Sequence, residues 1–549
     1  MPECQNCQNE FIITDQDREF YNKIEVPEPT KCPDCRMQLL LAHTNIINLY
    51  PRKCDLTGKQ IISNYSTEVP FPVYEAKEWH TDKWDPLEQG RDFDFSRPFF
   101  EQFLELRDQA PHPSLNVLQE SLVNSDYINC ATYSKNCYLI FDSDYDEDCY
   151  YGYSLQHDKD VMDSMRVRQS ELSYDCVDCY NLYNCQYCQN ARNCVDSYFL
   201  FQCSNCQNCF GCVNINTSKF CWFNEQLTEE EYRKRLAEVD LGDYGVVEKY
   251  KRKLEDHKKK FPKVEFQGFK NINCSGDYLY NCKNAHNSFD SYGLEDCRYC
   301  LAAFLPLKDS YDCFECGGDT SLFYQVIHSC CDCLNVKFSC YVVGSSNIEY
   351  SQHIHSGCKD VFGCIGLRKK QFCILNKQYG EEKYHQLREK IINHMKETSE
   401  YGHFFPPNIS PWGYNETLAG LYVPLTKEKA APQGFKWRDE KDGFKPSDYQ
   451  VPDNIKEVED DILNIVLADV GTGRNYKIIK QELDYYRQRN IPVPQKAFIE
   501  RHKRRLVLRN PKKLWDSKCA KCGKDIRTTY DPGREEVVYC KDCFRKEFF

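Results

Sequence analysis

A chain of 549 residues is longer than one hydrophobic core supports and divides, on length alone, into about three to five domains. Its 41% hydrophobic and 28% charged residues place most of it among folded proteins, and a net charge of −12 argues against a general nucleic-acid coat. No apolar stretch approaches the ~20 residues that span a bilayer, and the opening Met1-Pro2-Glu3-Cys4 has neither a basic nor an apolar leader segment. A cytoplasmic, thiol-reducing setting without a membrane is the expectation. There the 35 cysteines read as metal ligands or small buried hydrophobes rather than disulfides.

In chain order, residues 1–80 read as a zinc-ribbon module. Cys4-x2-Cys7 and Cys32-x2-Cys35 each bring two thiolates onto one turn, and the pairs together complete a tetrahedral four-sulfur shell. The twenty-four residues between them are expected to hold a helix from Asp15 to Lys23. Residues 81–120 are a connector with a short helix from Pro98 to Arg107. A first Cys-rich, β-solenoid-like lobe follows over 121–225, then charged helices over 226–262. These open on a capping box of Thr228 and Glu231 and break near Gly242 and Gly245. A second solenoid-like lobe spans 263–375, a helix 376–400, and a linker or extended arm 401–455, rich in Pro, Gly, Asn and Lys. Residues 456–549 close the chain with a second zinc-ribbon module, its pairs Cys519-x2-Cys522 and Cys540-x2-Cys543 seventeen residues apart. Cysteine at all four positions leaves neither Zn2+ a place for substrate, so both ions are expected to be structural.

The two ends are copies of each other. At a constant offset of 465, Lys53-Cys54 meets Lys518-Cys519, Gly58-Lys59 meets Gly523-Lys524, and Val73-Tyr74 meets Val538-Tyr539. Each copy keeps one metal site and has lost the other. Asp469, Thr472, Ala497 and Glu500 stand where the N-terminal copy has its four ligands, while Thr57, Glu75 and Glu78 strip Cys54 of partners. The middle repeats as well, at an offset of 152: CQNCFGC from Cys206 meets CKDVFGC from Cys358.

Twenty-six cysteines lie from Cys130 to Cys373, many of them three apart. A strand would send residues i and i+3 to opposite faces, and Asn, Asp, Tyr and Cys are poor helix formers. Stacked coils with small inward side chains fit better, with CYLIF, CYYGY and SYFLF as strands and the Asn-Cys and Asp-Cys pairs as corners. The fold class expected is mixed and mainly β: two Cys/Tyr/Asn-rich solenoid-like lobes with helical appendages, flanked by duplicated zinc-ribbon-type modules. A rival use of the central cysteines is an iron–sulfur cluster. The run Cys203, Cys206, Cys209, Cys212 departs from the ferredoxin spacing in its last gap and lacks the following proline.

Eleven cations against two acids fall between Lys496 and Lys524. Arg501, Lys503, Arg504, Arg505, Arg509, Lys512 and Lys513 are the candidate contacts for RNA, DNA or a protein partner, or for the acidic remainder of the chain itself. Asp142, Asp144, Asp146 and Asp148 lack the Gly and Glu of a calcium loop and read as a solvated turn. His353, His355 and Cys358 read as a surface patch. No nucleophile–base pair occurs in a recognisable context, so the leading reading is a non-enzymatic, zinc-binding scaffold or adaptor. The alternative is a redox or electron-transfer protein.

CPDCR after VPEP, the Lys-Cys-Asp-x-Thr-Gly-Lys at 53–59 and the Tyr-Cys-x-x-Cys near the end resemble uncharacterised bacterial zinc-ribbon proteins with a cysteine-rich centre. The resemblance covers most of the chain, implies structural zinc, and brings no activity with it.

Overall fold

Three residues make one side of a coil, and four sides make the coil. From Asn124 to Phe223 every third residue takes a left-handed backbone, with φ from 46° to 63° apart from Gly211 at 70°. Each such residue is a corner. The residue after it points into the coil, and the residue after that pairs with its counterpart twelve positions on, as in Tyr138↔Tyr150↔Met162↔Tyr174↔Gln186. These features come from a computed structural model that describes residues 1–439 and 444–549; residues 440–443, within the predicted arm, lie outside the described residues.

Two of the three peptide N–H groups in each triplet bond to adjacent coils: Tyr150 donates to Val161 and Tyr151 to Tyr138. The third belongs to the inward residue and points along the coil axis, where only a side chain of the preceding coil can receive it. Ser143 Oγ accepts from Leu155 N at 3.1 Å, Ser164 Oγ from Cys176 N at 3.1 Å, and Cys212 Sγ from Asn224 N at 3.4 Å. The same side chains donate to the carbonyl two residues earlier, as Cys185 does to Tyr183 at 3.5 Å and Ser170 to Arg168 at 3.0 Å. The inward position therefore suits a small side chain with one weak donor and one acceptor. Serine and cysteine meet that demand, and cysteine adds apolar bulk. Here lies the reason for the cysteine content: the central thiols fill a narrow core.

Asparagine at the corners offsets the left-handed backbone and builds ladders outside the coils. Asn181 donates to Asn193 at 2.9 Å and Asn193 to Asn205 at 3.0 Å. Replacing exposed Asn181 (φ 53°) by Val should lower stability by about 1–2 kcal/mol in a denaturant titration, because a β-branched side chain resists that backbone. A loss no larger than that of Asn181→Gly would remove the corner argument.

The expected solenoid architecture is present, with a correction of detail. CYLIF, CYYGY and SYFLF are not straight strands, since each contains a corner, at Leu139, Tyr151 and Phe199. The second lobe mixes coils of twelve and thirteen residues: Gly276 pairs with Ser288, Leu294 with Leu307. Its coils pair in parallel over longer runs, Thr320–Ile327 with Leu334–Val342, which still turn at left-handed corners such as Leu322, Gln325, Phe338 and Tyr341. Ridges on the outsides of the two lobes, Phe141, Tyr153, Met165 and Val177 on one and Phe289, Leu301, Phe314 and Ile327 on the other, share a buried cluster. Tyr153 Oη donates to Glu315 across it at 3.3 Å.

The four acids from Asp142 to Asp148 form no solvated turn. Being two apart in a period of three, they fall on different faces, and Asp146 is buried, accepting from Asp158 N at 2.9 Å. His353 and His355 are no surface patch either. They pack against Trp79, His80 and His112, and burial holds His355 down to about 3, hence neutral.

The terminal copies correspond element by element. Helices Asp15–Lys23 and Pro33–Leu41 match Lys480–Arg489 and Phe498–Val507. The hairpin Tyr50–Lys53/Gln60–Ser63 matches Trp515–Lys518/Asp525–Thr528. One equivalent arginine of each copy reaches the lobe farther from it in sequence. Arg36 pairs with Asp312 of the second lobe at 2.9 Å, and Arg501, its equivalent, pairs with Asp163 of the first. Both aspartates are corner residues. Among the described residues no helix is long and apolar enough to cross a membrane.

Candidate metal centres and the basic segment

Four copies of one backbone knuckle organise the ends. In each, the first residue donates to a residue five positions on and accepts from one four positions on. Cys4 bonds Asn9 and Gln8; Cys54 bonds Lys59 and Gly58; Asp469 bonds Arg474 and Gly473; Cys519 bonds Lys524 and Gly523. Its side chain then accepts the N–H that opens a helix. Cys32 N donates to Cys4 Sγ at 3.2 Å, Cys540 N to Cys519 Sγ at 3.2 Å, Glu75 N to Cys54 Sγ at 3.2 Å, and Ala497 N to Asp469 Oδ2 at 2.9 Å. The same fold element thus exists with four thiols, with one thiol, and with a carboxylate.

Two of the four bring together four thiols that could hold a metal ion. The sulfurs of Cys4, Cys7, Cys32 and Cys35 lie within 4.8 Å of one another, as do those of Cys519, Cys522, Cys540 and Cys543. Cys7 Sγ stands 3.7 Å from Cys32 Sγ, and Cys522 Sγ 3.8 Å from Cys540 Sγ. A tetrahedron with metal–sulfur bonds of ~2.3 Å has edges of about 3.8 Å. Cys32 and Cys540 cap the helices Pro33–Leu41 and Lys541–Phe548, which sets one thiol pair of each group at a helix N-terminus, where negative charge is favoured. A hydrogen bond from Cys35 holds the Cys32 thiol down to about 5. Burial raises Cys519, but N–H groups of Cys540, Cys522 and Lys521 outweigh it and hold it down to about 6. Beside these low thiols, burial and the neighbouring thiols push Cys7, Cys35, Cys540 and Cys543 up, as expected where four sulfurs crowd together.

In the other two knuckles hydrogen bonds occupy the ligand positions. Asp469 Oδ1 accepts from Gly471 N and Thr472 N, both at 2.8 Å. Cys54→Ala should leave the metal content of the protein unchanged by elemental analysis. A loss would mean that Cys54 is a ligand after all.

Most of the basic segment is bonded inside the molecule. Arg505 reaches Asp163 at 3.2 Å and Asp175 at 3.4 Å, Arg504 reaches Glu248 at 3.0 Å, and Arg509 reaches Asp178 at 2.7 Å and also Asp290. Lys512 joins Asp290 at 2.7 Å. Arg501, Arg505 and Arg509 are buried; Lys503 pairs with Glu500 at the surface, and exposed Lys513 lies over the Trp515 ring. The carboxylates that receive the segment were not foreseen. Asp163, Asp175, Asp178 and Asp290 all sit at corners, a position visible in the sequence only once the period of three is applied.

Comparison with known families matches residues 2–39 to the family model described as a "probable treble clef domain". The matched span holds the first knuckle, the helix and all four N-terminal ligands. No curated protein matches the chain.

Proposed function

We propose that the protein is a non-enzymatic scaffold in which two structural zinc ions lock the terminal modules and the solenoid lobes carry the surface offered to a protein partner. The observation that carries the metal assignment is the pair of closed four-thiolate shells on a knuckle and a helix N-terminus, an arrangement with no open position for chemistry. The partner reading is supported by an uncovered aromatic stack on the first lobe. Tyr133, Tyr145 and His157 follow one another at centroid separations of 4.6 and 4.8 Å, and both tyrosines are 50% exposed. Exposed aromatic rings are over-represented where proteins meet. On this reading the basic segment is an internal strap, and RNA or DNA would find mainly Lys503 and Lys513 free of the body.

Elemental analysis with an absorption spectrum tests the assignment: about two zinc per chain and no visible bands are expected. Iron with sulfide-type bands would overturn it in favour of electron transfer by the central cysteines. A salt-sensitive gel shift with RNA or DNA lacking terminal phosphates would overturn the strap reading.

A further inference from the structure

A cleft opens between the two lobes beneath the basic segment. Arg166, Arg168 and Arg192 of the first lobe line one side, and Phe269, Tyr278 and Tyr280 of the second line the other. Tyr180 and Tyr292, 41% and 37% exposed, stand at its mouth. Its enclosed volume is about 100 Å³, enough for one small anion, and it widens into open solvent at the mouth.

Its charge is unbalanced. Two carboxylates line it, Asp178 and Asp290, and both are engaged by Arg509, with Lys512 also on Asp290. Arg166 keeps only a 3.6 Å approach to Asp290, and its Nε and Nη2 are buried without a hydrogen-bond acceptor. Among the described residues neither Arg168 nor Arg192 has an ion-pair partner. Arg192 lies over the rings of Phe269 and Tyr280, 5.0 and 5.3 Å from their centroids, and donates to Tyr280 Oη at 3.3 Å. Three guanidinium groups converging without three carboxylates are costly unless an anion joins them.

We propose that this cleft binds a phosphate ester bearing a planar ring, with the phosphate seated inside on Arg166 and Arg168 and the ring outside, at the mouth, against Tyr180 and Tyr292. Guanidinium forks match phosphate oxygens, and tyrosine faces accept a stacked base. The ester is either a free mononucleotide or the phosphorylated end of a strand. The inference does not depend on which metal fills the terminal sites.

Calorimetric titration of the full-length, zinc-loaded protein decides it, using inorganic phosphate, adenosine monophosphate, uridine monophosphate and a short 5′-phosphorylated oligonucleotide. The mononucleotides should bind, and more tightly than inorganic phosphate. Arg168→Gln should weaken all of them by about tenfold or more, the loss of one bidentate contact, while the melting temperature holds or rises because an unpaired cation has been removed. Tyr180→Ala with Tyr292→Ala should weaken the mononucleotides and leave inorganic phosphate unaffected. Tighter binding of the oligonucleotide than of either mononucleotide assigns the site to strand ends; equal or weaker binding assigns it to free nucleotides. Absence of binding by every probe, or wild-type affinity in Arg168→Gln, overturns the proposal. A lower melting temperature in Arg168→Gln without loss of affinity would make Arg168 a structural residue only.

Discussion

Replacing Cys519 and Cys522 by Ser should release one of two metal equivalents and unfold the C-terminal ribbon. The module has little core to fall back on: its buried cluster is Cys519, Ile526, Val538 and Cys540, and two of those four are ligands. Metal binding supplies ~10–16 kcal/mol in small zinc domains, more than such a cluster can replace. The damage should spread along named contacts. Lys263–Val264 pairs in parallel with Val538–Tyr539, and Thr529 Oγ1 donates to buried Asp277 at 2.8 Å. Hydrogen exchange should therefore accelerate at 263–265 as well as within 515–549, while the coils of the first lobe keep their protection. An unchanged metal count in the double variant would exclude this site.

The second large effect concerns Asp290, whose side chain is wholly buried beneath Arg166, Arg509 and Lys512. Asp290→Asn keeps the shape and removes the charge, so three cations lose their shared counter-ion. Breaking a buried ionic group from one side typically costs about 3–5 kcal/mol, and a denaturant titration at neutral pH should read that loss. Burial pushes the Asp290 carboxyl up, but the three cations outweigh it and hold it well below the usual carboxylate range. The sign follows. A depressed carboxyl contributes stability above its unfolded value near ~3.9, and that contribution fades as pH falls through the folded value. The gap between wild type and variant should be constant from neutral pH down to about 4 and close only in stronger acid. A loss below about 1 kcal/mol at neutral pH would mean that the cluster is held together by other means.

The terminal centres were legible because metal ligation imposes a spacing: two C-x2-C pairs per site leave few other readings, and the offset of 465 tied the ends together before any geometry was known. The solenoid was legible in outline, since cysteines at i and i+3 suit neither strand nor helix. Its period was not. Residue preference points to corners at Asn and Asp, yet Leu139, Tyr151, Phe199 and Phe220 are also left-handed, because hydrogen bonds to the coils on either side override the residue's own preference. The acidic corners that hold the basic segment become visible only once that period is applied. Without it, Asp142 to Asp148 look like one turn, although their spacing distributes them over three different positions of the repeat.

The crossed docking of the terminal copies sets an order of events during synthesis. The N-terminal helices leave the ribosome first, but Arg36 finds Asp312 only after some 276 further residues, and Arg501 looks back 338 residues to Asp163. Local coil stacking can proceed as the chain lengthens, whereas these long-range closures wait for distant sequence. Until residues 501–512 emerge, Asp163 and Asp178 lack the arginines that pair with them in the finished molecule, and Asp290 has only Arg166. A nascent chain released early would carry these acidic corners uncovered on both lobes. Completion of the last few dozen residues is thus what brings cations onto acidic corners of both lobes at once.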